Sequence, residues 1–466
     1  MRISDLISIG QRYLSLGVIA AVIILPIFVI IYKKFLKDKY RLTPWKCIWI
    51  GTTICYFIVV LGATLMNRAG FWQNRGIMPL FYSYKDAWVD FSVTSWRNII
   101  LNICMFLPFG ILLPMGIKFF RSFWKISLAG FLFTLFIETS QLLMGRGMFE
   151  LDDLMDNTVG TMIGYGLYVL AMYLLNAIRK RENNKSLGRV LVLQVPLFLT
   201  IATFSTIFIS YYQQELGNVG GQYLVKYDTD KLQVSTIESY NKDNKMMSVY
   251  KSPSMSKEDT IKFASNFFEN LGTTIDESRN DFYEDTAVFW AMDSYSLWID
   301  YAGGNYSMTD FDTSFSEEAI GVVTDATEEE IRETLLKYSI EVPEAAFFEV
   351  LEDGDYQFWV EQMIKGNQMI DGYISCTYNE NGCMSHINYD LLTCELYKEF
   401  EIISEQEAYD MICEGEFRYT GSGELVIEVG ECSIQYITDS KGYYQPVYVF
   451  ACTINGEESQ IRIAAI

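Results

Sequence analysis

Histidine is almost missing from this chain: His386 is the only one among 466 residues. A zinc site of histidine ligands and a histidine-based catalytic triad both need imidazole nitrogens, so a single chain supplies neither. Nine cysteines are present, but no CxxC pair occurs. The Asp-x-Asp-x-Asp-Gly calcium loop is absent as well. No cofactor and no metal-ligand set is assigned from these residues. Positive charge is scarce in residues 213–466, which carry 15 Lys+Arg against 48 Asp+Glu, a net of −33. Such a surface repels polyanions and argues against nucleic acid as a partner.

The first part of the chain is the reverse. Residues 1–212 carry 21 Lys+Arg and 10 Asp+Glu, a net of +11, and contain six apolar segments of near-spanning length. These run over Tyr13–Tyr32, Trp45–Leu65, Asn98–Ile117, Phe123–Met144, Asn157–Ile178 and Val190–Tyr212. Each is close to the roughly 20 residues that a helix needs to cross a bilayer. The first lacks a short basic leader and a small-x-small cleavage site, so it reads as a retained helix and not a signal peptide. Five helices with an amphipathic N-terminal segment are the alternative.

The expected fold class is therefore a polytopic α-helical membrane domain of about six transmembrane helices, followed by extracytoplasmic α+β modules with antiparallel sheets. The expected division is 1–47 (first helix and basic loop), 48–178 (membrane core), 179–216 (cytoplasmic loop and last helix) and 217–466 (acidic outer region). Three loops, Lys33–Lys46, Lys118–Lys125 and Arg179–Arg189, hold 14 of the 21 basic residues in this part. The excess of Lys and Arg on cytoplasmic loops puts these three inside and the acidic region outside.

Polar residues inside or beside the spans mark a candidate site, because such groups are expensive in lipid. Asn98 and Asn102 lie one turn apart at the start of the third span, ahead of Pro108 and Gly110. They line a site or pack at a helix interface. Thr134, Glu138 and Gln141 share one stripe of the fourth span. Glu138 is a functional carboxylate in a wetted cavity, or an ion-pair partner of Arg146 or Arg97. The segment Gly145–Asp156 concentrates Arg146, Glu150, Asp152, Asp153 and Asp156 directly before the fifth span. Acids there suit a helix N-terminus, and clustered carboxylates also suit amines, sugar hydroxyls or a divalent cation. Gly160 and Gly164 form a GxxxG pattern that permits close helix packing. Asn157, at the junction, completes the set.

These residues resemble a known family. Asn98, Asn102, Phe106, Pro108 and Gly110, then Glu138 and Gln141, then Gly145, Arg146, Gly147, Phe149, Glu150, Asp152, Asp153, Asn157, Thr158, Gly160, Gly164 and Tyr165 are similar, in order and spacing, to the VanZ-like family of bacterial membrane proteins. Asn67, Arg68 and the run Met78, Pro79, Leu80, Phe81 add to the likeness, which covers roughly residues 48–178. Glu150 stands where an Asp is common, and Met78 where Leu or Ile is. The resemblance implies an association with glycopeptide (teicoplanin) resistance in Gram-positive bacteria, and no particular reaction. The ligand-contacting set is then Asn98, Asn102, Glu138, Gln141, Arg146, Asp152, Asp153 and Asn157. The expected partner is a membrane lipid, a lipid-linked wall precursor or the antibiotic itself. An enzyme acting on an envelope lipid would use Glu138 or Asp153 as general acid or base. A sensor would use the outer region to bind a protein partner. A transporter would show an inverted repeat, and none is visible.

In the outer region Ser256–Asp259, Thr327–Glu330 and Ser404–Glu407 each read as a capping-box start. Each opens an amphipathic helix, with apolar faces Ile261/Ala264/Phe268/Leu271, Ile331/Leu335/Tyr338 and Ala408/Met411/Ile412. Turn signals at Glu352–Gly354, Asn379–Gly382, Asp439–Gly442 and Asn455–Gly456 predict hairpins. The expectation is a repeated module, each a helix against an antiparallel sheet. The stretch from Ile403 through Tyr443 and Phe450 to Ile463 resembles PepSY or YycI-type extracellular domains, which implies a binding or regulatory module. Six cysteines (Cys376, Cys383, Cys394, Cys413, Cys432 and Cys452) leave disulfides open, with no pairing defined.

Overall fold

The computed structural model describes residues 3–35, 43–66, 76–179, 181, 186–292, 294–314, 320–351, 354–419, 421 and 423–466. Asn67, Arg68, Glu352 and Asp353, singled out above, lie outside the described residues. The chain forms two compact units, Met1–Glu215 and Leu216–Ile466.

In the first unit, six helices among the described residues are long and apolar enough to cross a membrane. They are α1 (Ile3–Phe35), α2 (Pro44–Leu61, continued by a π-turn over Gly62–Met66), α4 (Val93–Gly116), α5 (Phe123–Met144), α6 (Leu151–Ile178) and α8 (Val195–Gln213). Between them lie a short helix α3 (Tyr82–Asp90) and a one-and-a-half-turn helix α7 (Leu187–Val192). Strands β1 (Ile77–Met78) and β2 (Phe149–Glu150) pair in parallel.

Four boundaries differ from the sequence reading. Helix α1 begins at Ile3, ten residues before Tyr13. Helix α4 begins five residues before Asn98, capped by the Ser92 hydroxyl. Helix α6 begins at Leu151, so Asp152, Asp153 and Asp156 lie in its first turns and not in a preceding loop. The last span is broken at Leu193–Gln194, and Pro196 opens α8, where a missing N–H costs nothing. The span signal came from hydropathy, which does not register a helix turn made of acids.

Helices α4 and α6 are in backbone contact. A Cβ added at Gly160 would overlap the Ile103 carbonyl oxygen, one at Gly164 the Leu107 oxygen, and one at Gly110 the Thr161 oxygen. The glycine pattern therefore acts in packing, where only a missing side chain permits the approach. Phe106, Phe109, Ile126, Ile137 and Tyr165 fill the core around this contact. An aromatic group of Tyr84, Trp88, Phe91 and Trp96 holds α3 and the start of α4 against Phe204 and Phe208 of α8. Tyrosine and tryptophan are common at membrane–water boundaries, where one end of the ring is wet.

In the second unit, fourteen strands among the described residues join in one sheet. It is antiparallel except where Leu232–Thr236 runs parallel to Leu425–Val429. All three capping boxes form, opening helices Lys257–Asn270, Glu328–Lys337 and Glu405–Cys413. The first helix is rotated slightly from the expected face: Thr260 and Phe267 are buried, and Ile261 is 38% exposed. The modules do not each own a core. The first two helices share one, around Phe268, Phe289, Leu335, Tyr356 and Ile387, because Tyr306–Thr309 pairs antiparallel with His386–Tyr389 and joins their sheets. The third helix covers a second core of Ile412, Phe417, Ile427 and Phe450. All nine cysteines are free thiols, and burial pushes those of Cys376, Cys394 and Cys432 up to about 12.

Candidate functional site

The polar residues of the first unit gather where α4 and α6 begin and α5 ends. The chain reverses after α5 at Gly145, whose φ of +65° suits glycine best. The Arg146 N–H returns to the Gln141 carbonyl at 2.9 Å. Three residues later the chain enters β2, which lies beside β1 and so brings the segment after α2 to the head of α6.

Asp152 is spent on that junction. Its carboxylate accepts the backbone N–H of Phe81 at 2.5 Å and of Ser83 at 2.8 Å. These are donors at the N-terminus of α3, whose own cap residue Phe81 has no side-chain acceptor to offer. An acid at this position satisfies free N–H groups and complements the helix dipole. Glu138 acts similarly for α6: its Oε2 accepts the Glu150 N–H at 3.3 Å, and the residue is 1% exposed. Gln141 donates to the Thr64 carbonyl at 3.1 Å, and the Arg146 guanidinium donates to the Leu65 carbonyl. Both contacts tie the end of α5 to the π-turn after α2. Asn157 donates to the Thr134 hydroxyl at 2.8 Å. The carbonyl oxygens of the Gln141 and Asn157 side chains are buried without a hydrogen-bond partner.

A cavity of about 220 Å³ opens between α3, α4 and the head of α6. Asn98, Asn102 and Asp153 line it, together with Ser83, Asp86, Glu150 and Asp156. Asn102 donates to Asp153 Oδ1 at 2.5 Å, Ser83 Oγ to Glu150 Oε2 at 3.1 Å, and Tyr84 OH to Asp156 Oδ1 at 2.6 Å. Burial and the adjoining Asp156 carboxylate push the Tyr84 phenol up, so it stays a donor at any physiological pH. Glu138, Gln141, Arg146, Asp152 and Asn157 do not line this cavity; they hold the elements that form it.

The lining residues Tyr82, Ser83, Asp86 and Ser95 were not singled out from the sequence, and Glu150 and Asp156 were read only as part of an acidic segment. The signal for Tyr82–Asp86 is faint: a nine-residue helix inside what reads as a loop, with no acid in its first turn. Among the described residues no group of three or more His, Cys, Asp or Glu side chains converges to hold a metal ion.

Residues 49–175 match the family model described as VanZ/LLP1. Among curated proteins, the chain is 30% identical over 107 residues to "Protein VanZ" of Enterococcus faecium, an alignment that takes in 23% of this chain. The chain spans 62% of that relative's length. This is a membrane protein distantly related to the VanZ family through its first unit. Two solved structures are similar at 12% identity and a TM-score of 0.22. One is an uncharacterized protein from Eubacterium rectale ATCC 33656, with 50% of this chain and 87% of that chain covered. The other is the Bacillus megaterium YpeB C-terminal domain, with 46% and 94% covered.

Proposed function

We propose that the cavity between α3, α4 and α6 binds the polar headgroup of an envelope lipid or lipid-linked wall precursor at the outer face of the cell membrane. The single observation that carries this reading is a polar cavity at the ends of two helices long and apolar enough to span a membrane. The lining atoms are not all spent on one another: the Asn98 side chain has no hydrogen-bond partner among the described residues. The basic loops count for an outward orientation of this end and of residues 217–466.

Size favours a headgroup among the partners considered. The cavity is about seven times the ~30 Å³ that one water occupies in the liquid. That accommodates a headgroup and not a whole glycopeptide antibiotic. Teicoplanin tolerance, which the family likeness brings into view, would follow from sequestering or repositioning the antibiotic's lipid-linked target. Asn98 is exposed, so a bulky residue there fills the cavity without disturbing the core. The Asn98→Trp variant, at wild-type abundance in the membrane, is expected to lose co-purifying lipid in native mass spectrometry and to lose teicoplanin tolerance. Unchanged bound lipid and unchanged tolerance would sink the reading.

A second reading is an enzyme of envelope-lipid modification with Asp153 as general base. It is favoured by one feature: Asp153 is 7% exposed, reaches the cavity and is oriented by Asn102. Glu138 does not reach the cavity and is a weaker candidate. Product formation by purified protein on extracted lipids, abolished in Asp153→Asn, is the expected result; no product from wild-type protein removes this reading.

A further inference from the structure

The second unit holds a cavity of about 720 Å³ that the headgroup reading does not use. Its volume falls within the ~300–1,000 Å³ of ordinary small-molecule sites. The aromatic part of the lining is a cross-strand pair. Tyr306 and Tyr389 are opposite each other in the antiparallel ladder, and their rings stack at 4.9 Å and 6°. Phe263 of helix Lys257–Asn270 lies 5.1 Å from Tyr306. Leu336, Ser339, Ile340 and Glu341, at the end of helix Glu328–Lys337, line the cavity as well.

Two independent observations distinguish this cavity from a gap in packing. First, neither phenol has a hydrogen-bond partner among the described residues, yet neither oxygen is sealed from solvent. Tyrosine hydroxyls inside a protein usually find a partner. Burial raises both phenols above their ordinary range, so they remain protonated donors. Second, Ser339 follows its helix at φ +60°, a left-handed position where glycine or asparagine is usual. Glycine would relieve that strain but leave no hydroxyl at the cavity, and such strain collects at binding sites. The Ser339 oxygen accepts from Asn270 at 3.0 Å, which leaves its own O–H to donate.

We propose that this cavity binds a neutral saccharide, with Tyr306, Tyr389 and Ser339 donating to its oxygens and Glu341 accepting from its hydroxyls. Charge and geometry remove the other ligand classes. No Lys or Arg lines the cavity among the described residues, and Glu341 would repel an anion. A quaternary ammonium needs rings facing it from several sides, whereas Tyr306 and Tyr389 lie parallel against each other. A peptide that adds as a strand needs an open sheet edge. Strands Tyr306–Asp310 and Met384–Tyr389 are paired on both sides, so neither offers one. A polyol matches what remains: hydroxyl donors for its oxygens, a carboxylate for its hydroxyls and apolar walls for its C–H faces. The site lies apart from the membrane cavity and does not depend on the headgroup reading.

The test uses the full chain in detergent, read by isothermal titration calorimetry and thermal shift. The probes are the N-acetylglucosamine tetramer, the glucose tetramer, choline and an uncharged alanine–proline hexapeptide. The expected result is binding of at least one tetramer, and of neither choline nor the peptide. The double variant Tyr306→Phe, Tyr389→Phe should weaken sugar binding ten-fold or more. Its melting temperature should stay at the wild-type value, because hydroxyls with no partner in the chain hold nothing together. Asn98→Trp should leave sugar binding unchanged. Failure of both tetramers to bind would overturn the inference, as would binding that persists at full strength in the double variant. Binding of choline or the peptide in place of the sugars would overturn it in favour of that ligand class. If the double variant misfolds, Glu341→Gln at an exposed position carries the same test, with a loss of three-fold or more expected and no change overturning the proposal.

Discussion

The two units differ in how many acidic residues they carry and in how large a share of them is buried. The first 212 residues hold 10 acids and the rest hold 48. In the first unit Glu138, Asp152, Asp153 and Asp156 are all buried, between 1% and 7% exposed. In the second, Asp259, Glu330 and Glu407 close capping boxes at exposed helix starts, and Asp310 and Asp439, 5% exposed, are the buried exceptions. A solvated carboxylate costs little and stabilises little. A buried one must be repaid by hydrogen bonds, by a helix dipole or by a ligand. The acids of the proposed site are therefore among the few, and the dense exposed charge of the second unit keeps its surface solvated.

Four experiments bear on that contrast. The largest effect is expected from Gly160→Val, which drives a branched side chain into the Ile103 carbonyl and separates α4 from α6. A loss of about 3 kcal/mol or more is expected, read as aggregation in size-exclusion chromatography of detergent-solubilised protein. A monodisperse variant would show that the α4–α6 contact has slack.

Next is Asp152→Ala, which leaves the Phe81 and Ser83 N–H groups without their acceptor, at about 2 kcal/mol. Hydrogen exchange should rise throughout α3. The matched control is the outer unit's exposed Glu329→Ala, expected within ~0.5 kcal/mol of wild type. If the two variants behave alike, buried and surface acids are not different in kind.

Smaller is Ser404→Ala, which removes one capping box for about 1 kcal/mol. Hydrogen bonds from Ser404 hold the Glu407 carboxyl below its ordinary range, and those from Thr327 and Ser256 do the same for Glu330 and Asp259. A depressed folded value means that each contribution is complete above the unfolded value of about 4 and is lost as pH falls through the folded one. The melting temperature of the outer unit's transition should therefore drop below about pH 4, with a smaller drop in Ser404→Ala. A transition flat down to pH 2 contradicts the capping role. The smallest effect belongs to Gly456→Ala at the Asn455–Gly456 turn, where φ is +87°. It should cost roughly 0.5 kcal/mol, seen as a shift of a few degrees in the same transition.

Much of the fold is legible in the residues because its signals are local. Phe123–Met144 is bounded alike by hydropathy and by the helix itself. The three capping boxes and the hairpin turns at Asn379–Gly382, Asp439–Gly442 and Asn455–Gly456 join strands or open helices as their side chains dictate. What escapes the sequence depends on partners far along the chain. Helix α3 has no cap of its own, and its acceptor arrives from Asp152. Strands of two residues are too short to show a period, so β1 and β2 read as loop. The parallel pairing of Leu232–Thr236 and the shared core of the first two outer helices depend on which edges meet. At the candidate site, Asn98, Asn102 and Asp153 stand out as polarity in an apolar run. Tyr82, Ser83 and Asp86 do not, because they lie on a helix that looks solvated.

The distant cap on α3 also orders events in time. Its nine residues are fewer than the ~12–15 that make an isolated helix stable in water. Asp152 follows Phe81 by 71 residues, and at about 5–20 residues per second it leaves the ribosome on the order of 4–14 s later. During that interval α4 and α5 have been made while the segment beside them has no acceptor for its first amides. The cavity wall formed by α3 is thus completed only after α6 has been delivered to the membrane. A chain stalled or cut before Asp152 would carry four spans and an unfinished site, leaving quality-control proteases an exposed segment at residues 76–90.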